Sequence, residues 1–497
     1  MSSIDMPYSM VVLGTIVTPD GIFDQYIGIN DGKISVITKD PIIPSSDRDF
    51  IDATGMYVFP GFIDPHVHCW EHPSGEWNRK ETFDTATKAA AQGGVTTIAN
   101  MPNTPEPPVS VKIFEKTMKL AGKVYEFEGS NGPISIAVSN GVDILQYAGM
   151  TMGNSEKKIL SNLDPKRVRE LDSKGSAGYK IFTDSVGNLN MDWSGVGQAI
   201  DALVKSGTKK PVTFHCEDPR ILEARVKERK HILRRPPECE LGAVNEVVET
   251  CYAKGLRKIN LAHISAEVTI DYLVNFLYTH PDMSISMEIT PHHLLFNSSH
   301  MHGIYEKVLQ MNPALRDPED QESLFGALFG KFRGVGLPNN LTVMIGTDHA
   351  PHLLNDREKF DQKGMSGVPN LDTYGMFVSW LFNKGLNPQA IANYCSNNPA
   401  QLFGLYDRGE IVKGKKADLT IMQWEPVKIN GKLTDEFSNL MYQDDSPLFN
   451  SPKTQVLSVK SRCGWSPYEG YLFLGHVAYT IKEGKVVYYS ENKLKGK

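Results

Sequence analysis

The stretch Val58-Phe59-Pro60-Gly61-Phe62-Ile63-Asp64-Pro65-His66-Val67-His68 decides the fold. It opens apolar and ends on two histidines one residue apart. Its Val, Phe and Ile content reads as a buried strand. Side chains two residues apart on a strand project to the same side. His66 and His68 therefore leave the strand's C-terminal end together. Two converging imidazoles are half of a metal site.

Outward from this stretch, apolar strand-like runs alternate with helical ones. The runs cover residues 95–101, 134–138, 178–182, 211–215, 259–263, 285–289 and 341–346. With the opening strand they make eight. Helical stretches at 85–92, 243–254 and 321–332 lie between them, the first stopping at Gly93-Gly94. Eight β/α alternations predict an α/β fold, a (β/α)8 TIM barrel. Residues 356–369, rich in charge and glycine, read as a mobile surface loop after the last strand.

Both ends of the chain have another texture. Short β-rich runs at 10–14, 25–29 and 33–37 are separated by turn signals such as Asp31-Gly32. Similar runs recur at 417–422 and 485–489, punctuated by Gly414 and Gly484. Two β segments flanking a long middle predict a small composite β-sandwich domain formed by both termini. The expected division is 1–57, 58–405 for the barrel, and 406–497.

The bulk numbers narrow the class. A chain of 497 residues accommodates a large barrel plus a satellite domain. A net charge of −6 gives no reason to expect nucleic acid or an anionic membrane as partner. No apolar run reaches the length of a bilayer span, and the N-terminus lacks a secretory pattern. The six cysteines form no CxxC pair, which favours free thiols in a reducing cytoplasm.

Polar residues sit where the predicted strands end. His66 and His68 end the first, Lys180 lies within the fourth, and His215 and His263 end the fifth and sixth. Asp348 follows the eighth. Strand C-termini of a barrel face one mouth, so these six residues converge on one volume. That is the ligand inventory of a two-metal hydrolytic site. A free Lys180 ammonium would be repelled there and costly to bury. Carbamylated by CO2, Lys180 becomes an anionic oxygen ligand able to bridge two metals.

These residues resemble a known family. The run ending in His66-Val67-His68 resembles the HxH motif of the cyclic amidohydrolases in the amidohydrolase superfamily. Within it, dihydroorotases are the most similar. Gly93-Gly94-Val95-Thr96-Thr97, Met101-Pro102-Asn103-Thr104 and His215-Cys216-Glu217-Asp218 resemble their segments. So do Thr290-Pro291-His292-His293-Leu294, Met311-Asn312-Pro313-Ala314-Leu315-Arg316, Thr347-Asp348-His349-Ala350-Pro351-His352 and Ser466-Pro467-Tyr468-Glu469-Gly470.

The resemblance implies a zinc-dependent hydrolase that interconverts N-carbamoyl-L-aspartate and dihydroorotate in pyrimidine biosynthesis. It implies two zinc ions per chain, bridged by carbamylated Lys180 and a hydroxide. His66, His68 and Asp348 would hold one ion, and His215 and His263 the other. Asp348 would also be the catalytic acid–base group, and Asn103 and His352 would bind the substrate carboxylate. It further implies a cytoplasmic homo-oligomer, with aspartate transcarbamoylase as an associated partner. His292 and His293 carry no metal role in the motif.

One departure stands out. Dihydroorotases have Arg two residues after the second histidine, where this chain has Trp70. Allantoinases also lack that Arg. Allantoinase or a hydantoinase/dihydropyrimidinase-like activity is therefore the alternative, and a non-catalytic dihydropyrimidinase-like scaffold is a third. Under the first reading, Arg79 or Lys80 of the following loop replaces the missing charge, Arg79 being better shaped for a carboxylate.

Overall fold

The structure is a computed structural model. It describes residues 7–155, 159–184, 188–189, 191–303, 305–358, 365–432 and 454–490. Eight strands follow one another in parallel: Phe62–Val67 (β1), Val95–Asn100 (β2), Val142–Gly149 (β3) and Gly178–Phe182 (β4). Val212–His215 (β5), Lys258–Leu261 (β6), Ser284–Ile289 (β7) and Leu341–Ile345 (β8) complete the path. The ring nearly closes between its ends. Val67 bridges His349 in parallel, and the His68 N–H donates to the His349 carbonyl at 2.8 Å. The side chains of β1 to β5 are buried throughout, as befits strands covered on both faces.

The opening stretch is not one strand. Val58, Phe59 and Pro60 end a strand, Phe50–Pro60, that belongs to another sheet. The chain passes between sheets at Gly61, whose N–H donates to the Asp418 carbonyl at 2.7 Å. A Cβ there would lie 2.5 Å from Thr96 Oγ1, so only glycine fits the crossing.

The third barrel strand also differs from expectation. The 134–138 run lies in Gly132–Ser139, antiparallel to its neighbours and outside the ring. Asn140 and Gly141 both take positive φ, 49° and 76°, and turn the chain back into β3. Asn-Gly is the strongest short hairpin signal in a sequence. Two further expectations shift. The 321–332 helix is Pro318–Leu328, followed by a two-residue strand at Lys331–Phe332. Of the 356–369 loop, the first residues lie in helix Leu354–Glu358, and Val368 is buried and bridged to His349. Residues 359–364 lie outside the described residues.

The two chain ends form one seven-stranded sheet, as the sequence texture predicts. Met10–Thr18, Gly21–Asn30, Lys33–Thr38 and Phe50–Pro60 join Leu419–Gln423, His476–Lys482 and Lys485–Tyr489. Val12, Ile27, Ile51, Leu419 and Ile481 are among the residues of its separate core. We propose the division 1–57, 58–405 and 406–497 on this basis; the sheet strand Phe50–Pro60 runs three residues past the first boundary. All six cysteines are free and buried.

A buried charge cluster ties sheet to barrel. Asp143 of β3 pairs with Arg408 and, at 2.9 Å, with Lys482, which also holds Asp418 at 2.7 Å. Burial pushes the Asp143 carboxyl up, but Lys482 and Arg408 outweigh it and hold it well below the usual range. Breaking a buried pair from one side leaves an uncompensated charge. Arg408→Met is therefore expected to destabilise the protein by about 3–5 kcal/mol, measured by denaturant unfolding. An unchanged midpoint would remove the cluster from the stability account.

Candidate active site

The barrel brings the C-terminal ends of β1, β4, β5, β6 and β8 to one mouth, and six polar residues meet there. His66 and His68 both aim Nε2 at Asp348 Oδ1, at 3.2 and 3.0 Å. His215 Nδ1 and His263 Nε2 lie 2.8 Å apart. The His66 and His263 rings are 5.4 Å apart, so the two groups adjoin. His66, His263 and Asp348 each offer a ligand atom within 4.8 Å of the others.

Lys180 is fully buried in β4, and among the described residues its Nζ has no hydrogen-bond partner. Burial lowers its pKa to about 8, against the pull of Glu288 and Asp348. A buried amine of this kind is costly as an ammonium and is suited to carbamylation.

Two residues of the cluster sit in the left-handed region, His263 at φ 41° and Asp348 at φ 47°. Non-glycine residues hold such conformations where surrounding structure over-determines them, often at functional sites. For Asp348 the surrounding structure is visible. The Thr347 N–H donates to Asp64 Oδ1 at 3.0 Å and its hydroxyl to Asp64 Oδ2 at 2.5 Å. The same Asp64 Oδ1 accepts from the His66 N–H at 3.1 Å. Asp64 thus clamps the last strand's exit to the first strand's histidines.

Carboxylates back the histidines on their outer sides. His66 Nδ1 meets Glu288 Oε2 at 2.7 Å, and Glu288 in turn accepts from Asn260 Nδ2 at 2.6 Å. His215 Nε2 faces Glu217 at 3.3 Å and Asp184 at 3.5 Å. Arg235 closes on Glu217 from the far side. An imidazole that donates one nitrogen outward presents the other as a lone pair, the usual arrangement behind a metal ligand. Asp184, His215 and Glu217 could by spacing hold a cation of their own, but the Arg235 guanidinium already occupies that side.

The electrostatics agree. Burial, then the neighbouring Lys180, pushes His66 well below its ordinary value, and burial with His215 does the same for His263. Both are neutral, as ligands must be. Burial pushes Asp348 up, but His66, His68 and Lys180 outweigh it and bring it to about 2. It is a carboxylate at neutral pH. Neutral imidazoles, a carboxylate and an unpartnered buried amine form a donor set that fits divalent metal.

The substrate-side residues fall differently. Asn103 and His352 are buried, and among the described residues Asn103 Oδ1 has no partner. The Trp70 ring stacks on His68 at 4.8 Å and lies 5.4 Å from His352. Its Nε1–H is spent on the Pro351 carbonyl at 2.8 Å. Arg79 is exposed and makes two contacts with Asp356, at 3.1 and 3.0 Å. The structure does not bring it to the cluster. His293 bonds Thr290 Oγ1 and the Pro313 carbonyl, and His292 lies beside Asn370.

Sequence reading missed Glu288, Asn260, Asp184 and Arg235. Glu288 carried a usable signal, an ionisable residue inside an apolar strand, the same signal that marks Lys180. Glu217 lay in a quoted motif without a role. Arg235 arrives from a loop and left no trace of its destination.

The chain is 28% identical over 479 residues to the dihydroorotase of Methanothermobacter thermautotrophicus, covering 95% of this chain and 92% of that one. It is 30% identical over 417 residues to a Staphylococcus aureus dihydroorotase, covering 82% and 87%. Among solved structures it is similar to an L-hydantoinase (dihydropyrimidinase) from Arthrobacter aurescens. The TM-score there is 0.75 at 22% identity, with 96% of each chain covered. That likeness shows the fold. The amidohydrolase family model matches residues 57–487, and with a barrel whose mouth gathers four histidines, a lysine and an aspartate, the chain belongs to the amidohydrolase family.

Proposed function

We propose that this cyclic amidohydrolase is a dihydroorotase, opening and closing the ring between dihydroorotate and N-carbamoyl-L-aspartate. The observation that carries the hydrolytic reading is the convergence of His66, His68, His215, His263 and Asp348 around the buried Lys180 amine. The dihydroorotases that share 28–30% of its residues support the choice of substrate.

His66, His68 and Asp348 would hold one zinc ion, His215 and His263 a second, and carbamylated Lys180 would join them. When bound, such ions supply Lewis acidity and lower the pKa of water. The remaining work falls to the chain. Asp348, ionised and fixed by the Asp64–Thr347 clamp, takes the proton of the attacking water and hands it to the departing ring nitrogen. Glu288 and Glu217 hold the His66 and His215 rings in the tautomers that face inward. Asn103 and His352 bind the substrate carboxylate. For Arg79 to join them, its two contacts with Asp356 must open. The same reading makes the enzyme a cytoplasmic homo-oligomer that can associate with aspartate transcarbamoylase. Among the described residues no helix is long and apolar enough to cross a membrane.

Trp70 favours a second reading, a hydantoinase- or allantoinase-like enzyme acting on an uncharged ring. Its indole N–H is already used, and its stacked ring offers an apolar wall where dihydroorotases have a guanidinium. A turnover panel of dihydroorotate, allantoin, hydantoin and dihydrouracil decides between them. The proposal expects dihydroorotate to lead by kcat/KM. A lead for any uncharged ring would replace it with the second reading.

Asp348→Asn keeps an oxygen ligand but cannot accept a proton. The expected result is a kcat lower by on the order of 10²-fold or more with most of the metal retained, read by turnover and elemental analysis together. Near-normal turnover with metal bound would take the proton-transfer role away from Asp348.

A further inference from the structure

The loop after His68 carries two cations with opposite fates. Arg79 faces out and is neutralised by Asp356. Lys80 faces in and is 2% exposed. Its Nζ lies 4.2 Å from the centre of the Trp77 ring and 5.2 Å from that of Trp70. Among the described residues no carboxylate comes within ion-pair distance of it. The two indoles meet edge to face, 5.2 Å apart at 83°.

This aromatic box is fixed in place. Trp70 holds φ 56°, a left-handed conformation that a bulky residue keeps only under constraint. Its N–H is tied to the Pro351 carbonyl, next to His352, and its ring to His68. Lys80 itself donates its backbone N–H to the Trp77 carbonyl at 2.8 Å. Its ammonium is therefore no farther than about 10 Å from the His68 ring centre, by way of Trp70. Burial lowers its pKa to about 8, with Asp356 opposing, which leaves it mostly charged at neutral pH.

We infer that Lys80 determines specificity, favouring an anionic ring over a neutral one by a charge acting through the Trp70 indole rather than through a direct hydrogen bond. The inference rests on the dihydroorotase reading, in which the substrate carries a carboxylate. Trp70 removes the bidentate fork that a guanidinium would offer. It leaves the field of a cation that no carboxylate contacts directly, with Asp356 and Glu76 acting on it from farther off, in a wall where salt screens weakly. Cation–π contact holds the ammonium there without neutralising it. Lys80 is on this account a positioning charge that need not touch substrate.

The test is equilibrium binding to the metal-loaded protein of two flat rings, orotate with a carboxylate and uracil without. The wild type is expected to prefer orotate. In Lys80→Met that preference should fall by roughly tenfold, the size of one unit charge acting across about 10 Å of partly dry protein, and Lys80→Arg should keep most of it. Melting temperatures check that each variant folds, and Lys80→Gln serves if the Met variant does not. An unchanged preference in the neutral variants, equal weakening of both ligands, or no orotate preference in the wild type would overturn the inference. Failure of the dihydroorotase reading shows elsewhere, as turnover of neutral rings without turnover of dihydroorotate, and the binding ratio still reads Lys80.

Discussion

His68 and Asp348 are 280 residues apart in sequence and 3.0 Å apart in space, and the rest of the site depends on that approach. It is enforced at the seam where the barrel closes. Asp64 takes the Thr347 N–H and hydroxyl and the His66 N–H together, while Val67 bridges His349 just beyond. The carboxyl of Asp64 is fully buried, and burial raises its pKa to about 7 against those hydrogen bonds. A buried group of this kind stays in place only when its partners are satisfied. The seam therefore works as a geometric lock, since loss of the Asp64 contacts would free Asp348 from its left-handed backbone and from both histidines.

A second layer of the same logic surrounds the histidines. Two of the inward-facing donors are paired outward with a carboxylate, Glu288 behind His66 and Glu217 behind His215, and these are held by Asn260 and Arg235. Burial raises Glu288 to about 7, whereas Arg235 and His215 outweigh burial at Glu217 and bring it to about 2. The two backing carboxyls thus differ in acidity for a reason visible in their partners. One has a guanidinium and the other an amide.

Much of this was legible in the chain itself, because a parallel barrel writes its strands as apolar runs and its mouth as polar residues at their ends. That rule singles out His66, His68, His215, His263 and Asp348, and the apolar neighbours of Lys180 single it out; the fold brings all six to one mouth. The rule failed where an apolar run fell outside the ring. Residues 134–138 are as strand-like as any, but Asn140-Gly141 folds them back and gives the ring position to Val142–Gly149. Residues 58–60 look continuous with β1 until Gly61 passes the chain between sheets. Arg79 and Lys80 show a different limit. Adjacent cations on one loop have equal standing in sequence, and only the fold sends one to Asp356 and the other under two indoles. Trp70 marks the same tension in substrate terms, since its packing suits a neutral ring while the sequence relatives are dihydroorotases.

The central claim is that the two histidine groups form one binuclear centre joined through Lys180. Anomalous scattering at the zinc edge, from crystals grown with zinc and bicarbonate, tests it directly. The account predicts two peaks, one among His66, His68 and Asp348 and one between His215 and His263, with density for a carboxylate on Lys180 Nζ reaching both. A single peak, or two peaks beside an unmodified Lys180 amine, would contradict it.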